Sequence, residues 1–248
     1  MTAEVDTDEI TQAMQVGFGR LWLTSAENEG EGPATVIGVA LANPTDVVRI
    51  PLGSTYVPPE SSVAVTDESV WVLGVTDQNV LVEIDPSTSS IVRTIPAPPN
   101  SGPLRGGFGS LWVSLPGEGT VQRLDPADGS VIATINVGPR PTFMFSGPDA
   151  MWVMNAGDGT VSRLDPADNT AQTVPASTGS IDGGDIAAGD GVVWVRTSAE
   201  LAVLIDPDTL KVVRRLGPSS GSGSIAIDGD GVWISAHDIT TVWFVTPR

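Results

Sequence analysis

Residues 107–126 read GFGSLWVSLPGEGTVQRLDP, and residues 147–166 read GPDAMWVMNAGDGTVSRLDP, which is the same pattern 40 residues later. In both segments a tryptophan stands between apolar residues, and the segment ends in Leu-Asp-Pro. Apolar neighbours favour a buried strand. Asp-Pro favours a tight turn, because Asp accepts hydrogen bonds from the following backbone and Pro presets φ. A strand-and-turn pattern that returns at a fixed period predicts a repeat protein.

The pattern continues along the chain. The spacings between successive repeat tryptophans are 49, 41, 40, 42 and 39 residues, and an acidic insert at 27–32 accounts for the long first step. The repeat tryptophans are Trp22, Trp71, Trp112, Trp152, Trp194 and Trp233. The Asp-Pro turns begin at Asp85, Asp125, Asp165 and Asp206, with degraded versions at Asn43-Pro44 and Thr246-Pro247.

Each repeat of about 40 residues predicts four short strands. In the fourth repeat we expect them at 142–146, 150–155, 160–164 and 171–174. A unit of four strands cannot bury both of its faces alone, whereas stacked units bury each tryptophan between neighbours. The sequence therefore predicts an all-β, six-bladed β-propeller of four-stranded blades that forms one domain over residues 1–248.

The two ends of the chain complement each other. The last repeat provides strands at 224–226, 231–235 and 241–245 and then ends, without an outermost strand. Residues 3–5 align with 133–135, which form an outermost strand in the third repeat. We expect residues 3–7 to complete the last blade, because this pairing covers both exposed strand edges and closes the propeller.

Composition excludes several classes of function. The net charge is 12 − 30 = −18, so phosphate backbones and anionic membranes repel the chain, and we expect no nucleic-acid partner and no membrane insertion. The sequence has no cysteine and no apolar run of membrane-spanning length. We expect a monomer that is exported or belongs to the cell envelope, with its leader absent from this sequence.

The repeat resembles a known superfamily. The segments 107–126 and 158–166 are similar to those of the bacterial YVTN-type repeat propellers, whose enzymatic relatives are the streptogramin B (virginiamycin B) lyases. The resemblance extends from Gln15 to Pro247. It implies a propeller fold and, for the lyase branch, opening of a cyclic depsipeptide by elimination. The lyases use a histidine and carboxylates with a divalent cation, and the single histidine of this chain is His237.

Candidate binding residues lie at one end of the blades. Loops between second and third strands, and loops that lead into the next blade, meet at that end, and most departures from the repeat occur there. The position seven residues before the tryptophan is alanine in three repeats, at Ala64, Ala187 and Ala226. In the other three repeats the same position is Gln15, Arg105 or Phe145. We expect Phe145 to belong to the core. The predicted contacts are Gln15, Glu60, Arg105, Arg140, Asp182, Asp185 and His237.

Two of these residues have alternative interpretations. Arg105 requires either an anionic ligand, which it would bind together with Arg140, or an acidic partner such as Asp182 or Asp185. His237 precedes Asp238 and is either a general base oriented by a carboxylate or an exposed loop residue.

No cofactor is predicted, although a divalent cation, Ca²⁺ or Mg²⁺, stays open at the acidic segments 27–31 and 182–185. The segment 228–231 is also acidic, but it aligns with plain hairpin turns and is interpreted as one.

Three functions remain. The first hypothesis is a module that binds a small molecule or peptide at this end of the blades. The second is a metal-dependent lyase with His237 as its base and Glu60, Glu200 or Asp185 nearby. The third is a structural interaction platform within a larger envelope protein.

Overall fold

The chain is a six-bladed β-propeller built from antiparallel sheets. The computed structural model describes residues 10–28, 31–58, 63–177, 179–181, 183–218, 221–229 and 231–246. Five sheets contain four strands each, and the sixth contains three among the described residues. The predicted all-β fold is confirmed.

The strands follow the chain from blade to blade. Blade 1 contains β1 (Ile10–Gly17), β2 (Arg20–Asn28), β3 (Glu31–Ala40) and β4 (Val47–Pro51). Blade 2 contains β5 (Val63–Val65), β6 (Val70–Val75), β7 (Asn79–Asp85) and β8 (Ser90–Pro96). Blade 3 contains β9 (Leu104–Gly107), β10 (Ser110–Leu115), β11 (Thr120–Leu124) and β12 (Val131–Asn136). Blade 4 contains β13 (Pro141–Ser146), β14 (Met151–Asn155), β15 (Thr160–Leu164) and β16 (Ala171–Pro175).

The last two blades contain the residues on which the site depends. Blade 5 contains β17 (Asp185–Gly189), β18 (Val192–Arg196), β19 (Ala202–Asp206) and β20 (Lys211–Leu216). Blade 6 contains β21 (Ile225–Asp228), β22 (Gly231–Ala236) and β23 (Thr241–Val245), with a short 3₁₀ helix (His237–Ile239) between β22 and β23. The segment 228–231 is the hairpin turn that the sequence predicts, since Asp228 pairs with Gly231.

Two compact units make up the chain. The first unit comprises Met1–Val113 and Arg123–Ile132, and the second comprises Ser114–Gln122 and Ala133–Arg248. Residues 3–7 lie outside the described residues. The single domain over 1–248 and the pairing of its two ends therefore stay predictions.

The repeat tryptophans form the cores of these units. Trp22, Trp71, Trp112, Trp152 and Trp194 are each at most 2 % exposed. Trp22 packs with Val63 of the following blade, and Trp152 packs with Ile186 in the same manner. Loss of one such side chain costs about 3–5 kcal/mol in well-packed cores. The predicted burial of the tryptophans between blades is confirmed for Trp22, Trp71, Trp152 and Trp194.

Trp233 differs from the other repeat tryptophans. It is 45 % exposed, and its ring lies 4.7 Å from that of Phe244, which is itself 44 % exposed. Trp71 and Trp194, by contrast, pack with the first strand of the following blade, at Leu104 and Ile225. Blade 6 is the last blade among the described residues of the second unit.

Close approach between blades depends on glycine in the first unit. A Cβ at Gly106 would lie 2.0 Å from the Val65 carbonyl oxygen, and a Cβ at Gly17 would lie 2.4 Å from the Val65 Cγ1 atom. Strand β5 therefore packs against β1 on one side and β9 on the other, at a spacing that only glycine permits.

The predicted turns are present. Asp85 Oδ1 accepts hydrogen bonds from the backbone N and the hydroxyl of Ser87, each at 2.7 Å. Asp125 Oδ1 accepts from the backbone N of Ala127 at 2.7 Å. These bonds confirm that Asp at this position holds its own turn.

No helix among the described residues is long and apolar enough to cross a membrane.

Candidate functional site

The predicted site residues fall in different units. Gln15 and Arg105 belong to the first unit, whereas Arg140, Asp185 and His237 belong to the second. Glu60 and Asp182 lie outside the described residues, and the side chains of the acidic insert at 27–32 are likewise not described.

Gln15 holds two neighbouring blades together. It lies directly opposite Trp22 in the β1–β2 pair. Its side-chain Oε1 accepts a hydrogen bond from the backbone N of Val65 at 3.1 Å. In this structure Gln15 therefore provides a contact between β1 and β5.

Arg105 and Phe145 occupy the corresponding position in their blades. Arg105 lies opposite Trp112, and Phe145 lies opposite Trp152. Arg105 Nη1 donates to the carbonyl oxygen of Leu104 at 3.2 Å. Phe145 is partly buried and packs against two apolar clusters, that of blades 4 and 5 and that of blades 5 and 6, as the sequence predicts.

Arg140 is exposed but anchored. Its Nη2 donates to the carbonyl oxygens of Ala156 at 3.1 Å and Ile181 at 3.2 Å. Its backbone adopts a positive φ of 52°. The arginine thus connects the β14–β15 loop with the segment that leads into β17.

Asp185 and Arg196 form the base of a cluster in the second unit. They lie directly opposite each other in the β17–β18 pair. Asp185 Oδ1 accepts from the backbone N of Ile186 at 2.8 Å, and its Oδ2 accepts from the backbone N of Ile225 at 3.1 Å. The carboxylate therefore connects blade 5 to the first strand of blade 6.

Arg196 is fully buried. Its Nε donates to the carbonyl oxygen of Ser235 at 3.2 Å, and its Nη1 donates to those of Thr197 and Glu200. A buried guanidinium with these partners fixes the loop that follows β18 against the end of β22.

Burial and a nearby carboxylate both act on the pKa of Arg196. Burial lowers the pKa of Arg196 below the ordinary arginine value, and the negative charge of Asp238 opposes part of this change. Asp238 is thus close enough to stabilise the buried positive charge.

Glu200 stabilises the loop between β18 and β19. Its Oε1 pairs with Arg215 Nη1 at 2.5 Å, and its backbone N donates to the Thr197 hydroxyl at 2.9 Å. Arg215 also donates to the carbonyl oxygen of Ala176 at 2.8 Å. The Glu200 carboxylate is therefore held by an ion pair at the side of the blade.

His237 stands exposed at the start of the 3₁₀ helix. Its Nε2 lies 3.3 Å from the Ser235 hydroxyl, and its backbone N donates to the carbonyl oxygen of Ser222 at 2.9 Å. Asp238 Oδ2 accepts from the backbone N of Ser222 at 3.0 Å. The two residues therefore connect the β22–β23 loop to the loop that precedes β21.

Glycine allows these loops to approach each other closely. A Cβ at Gly223 would lie 1.9 Å from the Ser235 carbonyl oxygen, and a Cβ at Gly221, whose φ is +69°, would lie 1.6 Å from Asp238 Oδ2. Residues 197–201, 221–224 and 237–240 thus form one packed group of loops above Arg196, which we call the His237 loop cluster.

The described residues contain no group of three His, Asp or Glu side chains that could hold a metal ion. Asp185, Glu200 and Asp238 each accept hydrogen bonds from neighbouring protein groups, and the imidazole of His237 lies within hydrogen-bond distance of the Ser235 hydroxyl.

Sequence reasoning missed Arg196. Two residues after its tryptophan the repeat has Thr24, Leu73, Ser114, Met154, Arg196 and Ser235. Arg196 is the one charged residue among these, and this departure was a signal that could have identified it. Arg105 is more conspicuous in the sequence, because it replaces the alanine that other repeats have at its position and because arginine is rarely buried without a partner.

Comparisons with known proteins agree with the fold. A functionally unknown protein from Desulfotomaculum acetoxidans DSM 771 superposes with a TM-score of 0.73 and 17 % identity, over 98 % of this chain and 84 % of that one. The glutaminyl cyclase of Myxococcus xanthus superposes with a TM-score of 0.50 and 16 % identity, over 76 % of this chain and 86 % of that one. No described protein family and no curated protein matches the sequence. These likenesses support a propeller fold, and the resemblance to the lyases stays a hypothesis.

Proposed function

We propose that this propeller is a binding module that takes a small polar molecule or a short peptide at the His237 loop cluster. The observation that carries the proposal is the arrangement around Arg196. One buried guanidinium holds the β18–β19 loop against the end of β22, and the His237 imidazole stays exposed beside the Ser235 hydroxyl. A rigid base beneath exposed polar groups is typical of pre-formed ligand sites.

The polar groups of the cluster suit hydrogen bonding to a neutral ligand. His237 and Ser224 are exposed, and Ser222 and Ser235 are half-buried. Imidazole and hydroxyl groups both donate and accept hydrogen bonds, so they complement amide and hydroxyl groups of a ligand. The net charge of −18 works against anionic ligands and favours neutral or cationic ones.

The positions of the carboxylates favour binding over elimination chemistry. A general base needs a nearby group that orients it, and a metal needs carboxylates that point toward it. Glu200 pairs with Arg215, whereas Asp185 and Asp238 accept backbone hydrogen bonds. In this structure the carboxylates hold the loops together. The roles of Gln15, Glu60, Arg105, Arg140 and Asp182 as ligand contacts stay predictions.

A thermal-shift screen tests this proposal. Small polar molecules and tripeptides are added to the purified protein, and any compound that binds the folded state raises the melting midpoint. We expect the hits to lose about tenfold in affinity in His237→Ala, which corresponds to loss of one hydrogen-bonded contact. The matched control is Gln172→Ala, an exposed residue of β16 in the same unit.

Hits that keep full affinity in His237→Ala would overturn the location of the site. A screen without any hit would overturn the proposed function itself.

A further inference from the structure

A pocket lies within the first unit, apart from the His237 loop cluster. Its volume is about 280 Å³, and it lies between the β5–β6 hairpin and two turns of blade 3. Its lining includes Thr66, Asp67, Glu68, Trp71, Glu83 and Arg93. Ligand pockets measure about 300–1,000 Å³, so a pocket just below this range has room only for a very small molecule.

The Trp71 indole N–H is an unused donor at this pocket. Trp71 is 0 % exposed, and its Nε1 has no hydrogen-bond partner among the described residues. In the neighbouring blades the equivalent donor is satisfied, because Trp22 Nε1 donates to Gly17 O at 3.1 Å and Trp112 Nε1 donates to Gly107 O at 3.0 Å. A buried donor without an acceptor is costly, so each case requires an explanation.

The hairpin before Trp71 explains why its usual acceptor is lost. In blades 1 and 3 the acceptor carbonyl precedes a turn whose two central residues have positive φ, Phe18-Gly19 and Phe108-Gly109, whereas Asp67-Glu68 at the same place in blade 2 does not have positive φ. The turn of blade 2 therefore has a different backbone conformation. Thr66 and Ser69 bond to each other: the Thr66 hydroxyl donates to Ser69 O at 3.0 Å, and Ser69 N donates to Thr66 Oγ1 at 3.1 Å. The N–H edge of the indole therefore faces a hairpin that lines the pocket and has its own internal bonds.

The charges around Trp71 are arranged differently from those of blade 3. There the Arg123 guanidinium lies 5.1 Å from the Trp112 ring centre. In blade 2 the residue opposite Trp71 is Glu83, and Arg93 occupies the next strand, 5.7 Å from the Trp71 ring centre. Both tryptophans therefore have a guanidinium over the ring, and blade 2 differs in placing a carboxylate next to the pocket.

The groups that line the pocket determine its preferred ligand charge. Arg93 is engaged: its Nε pairs with Glu83 Oε2 at 2.6 Å, and its terminal nitrogens donate to Ala127 O at 2.6 Å and Pro126 O at 2.7 Å. The Ser69 hydroxyl donates to Glu83 Oε1 at 2.7 Å. With Glu83 neutralised by Arg93, the exposed carboxylates of Asp67 and Glu68 give the pocket a negative potential.

We propose that this pocket binds a small primary amine that also carries a hydroxyl or carbonyl oxygen. The ammonium group interacts with Asp67 and Glu68, and the oxygen accepts the hydrogen bond from the Trp71 indole. Anionic ligands are disfavoured, because three carboxylates line the pocket against one guanidinium.

A second recess in the chain provides an internal control. A pocket of about 240 Å³ in the second unit is lined by Trp152, Asp149 and Pro207, which occupy the corresponding positions of their blades. There the residue opposite the tryptophan is Arg163, whose Nη2 lies 3.7 Å from Asp149 Oδ2. That recess is also lined by Asp208, so it is acidic as well, but Trp71 has the one buried indole N–H without a partner among the described residues. An amine that requires this donor therefore has no equivalent site in the recess at Trp152.

Nuclear magnetic resonance of the indole N–H groups tests the proposal. Ethanolamine and glycinamide are titrated against ¹⁵N-labelled protein, with ethylene glycol and acetamide as neutral analogues. The Trp71 signal is identified by nuclear Overhauser contacts with protons of residues 66–69, so no core variant is required. We expect the two amines to shift the Trp71 signal saturably, while the neutral analogues and the Trp152 signal show no such response.

Variants separate the specific site from general attraction of cations. Asp67→Asn combined with Glu68→Gln removes two exposed charges and should weaken amine binding about tenfold, in line with two partly screened ion pairs. Asp149→Asn, in the equivalent hairpin of blade 4, should leave it unchanged. A Trp71 signal that no amine shifts would overturn the proposal. So would an equal response to the neutral analogues or an equal affinity in the double variant.

Discussion

At the scale of single residues, Arg196 does most to organise the His237 loop cluster. Its side chain reaches carbonyl oxygens of the β18–β19 loop and of β22. Loss of the guanidinium would therefore remove a buried donor from several acceptors at once.

Arg196→Met should therefore lower the free energy of unfolding by about 3 kcal/mol, because a buried hydrogen-bond network loses its donor. Urea denaturation measures the change. Arg214→Met is the matched control, because Arg214 is an exposed residue of β20 and its loss should cost less than about 0.5 kcal/mol. Equal stability of the two variants would contradict the organising role of Arg196.

The positions and hydrogen-bond partners of the candidate site residues were predictable from the sequence only in part. The sequence directed attention to His237, because a lone histidine is conspicuous, and the structure places it exposed within the loop cluster. It did not predict that Asp238 bonds to Ser222, or that Asp185 bonds to Ile225. Those bonds join segments 16 and 40 residues apart in the chain, and no local pattern encodes them.

At the scale of elements, several turns between strands contain an Asp whose carboxylate accepts hydrogen bonds from the residues that follow it. These turns make the stability of the blades depend on pH. The Ser87 hydroxyl, Ser130 and the Thr170 hydroxyl are the main groups that lower the pKa values of Asp85, Asp128 and Asp168. The backbone N of Thr209 does the same for Asp206. Because the folded-state pKa values lie below those of the unfolded chain, these bonds stabilise the fold at neutral pH, and their contribution is lost as the pH falls through the folded-state values.

Melting midpoints measured from neutral pH into the acid range should therefore decline at the acid end, and Asp85→Asn should make that decline shallower. Asp190→Asn serves as its control, since the exposed Asp190 carboxylate makes no hydrogen bond with the described residues. If the melting midpoint falls equally at acid pH in the unsubstituted protein and in Asp85→Asn, the turn at Asp85 does not contribute to the pH dependence of stability.

The glycines between blades lead to another prediction at this scale. Gly106→Ala places a methyl group 2.0 Å from the Val65 carbonyl oxygen, so β5 and β9 must separate. We expect a loss of about 2 kcal/mol in the free energy of unfolding, which is typical of overpacking. Gly117→Ala is the control, because a Cβ at the exposed Gly117 meets nothing within 4 Å.

The elements themselves were largely predictable. In blade 4 the expected and observed strands agree to within one residue at each end. The reason is physical: strand burial and Asp turns are decided by neighbours in sequence, and the repeat shows both signals several times. The exposure of Trp233 was not predictable in this manner, because its neighbours in sequence are as apolar as those of the buried tryptophans.

At the scale of the whole molecule, we infer a propeller that binds a ligand through its loops and uses its carboxylates for structure. Melting with EDTA, and then with added Ca²⁺ or Mg²⁺, distinguishes such a binding module from a metal-dependent enzyme. We expect the same midpoint under all of these conditions, since an ion that bound the folded state would raise it. A rise with either cation, lost in His237→Ala or Asp185→Asn, would restore the lyase hypothesis.

The most direct test of the binding site is mapping by ¹H–¹⁵N spectra of the labelled protein, recorded with mixtures of tripeptides and small polar molecules. Each backbone amide reports on its own surroundings, so the perturbed signals locate the site even when the active compound in a mixture is unidentified. We expect perturbed amides within residues 197–201, 221–224 and 237–240. Perturbations confined to other segments, or spectra that no mixture changes, would contradict a ligand site at the His237 loop cluster.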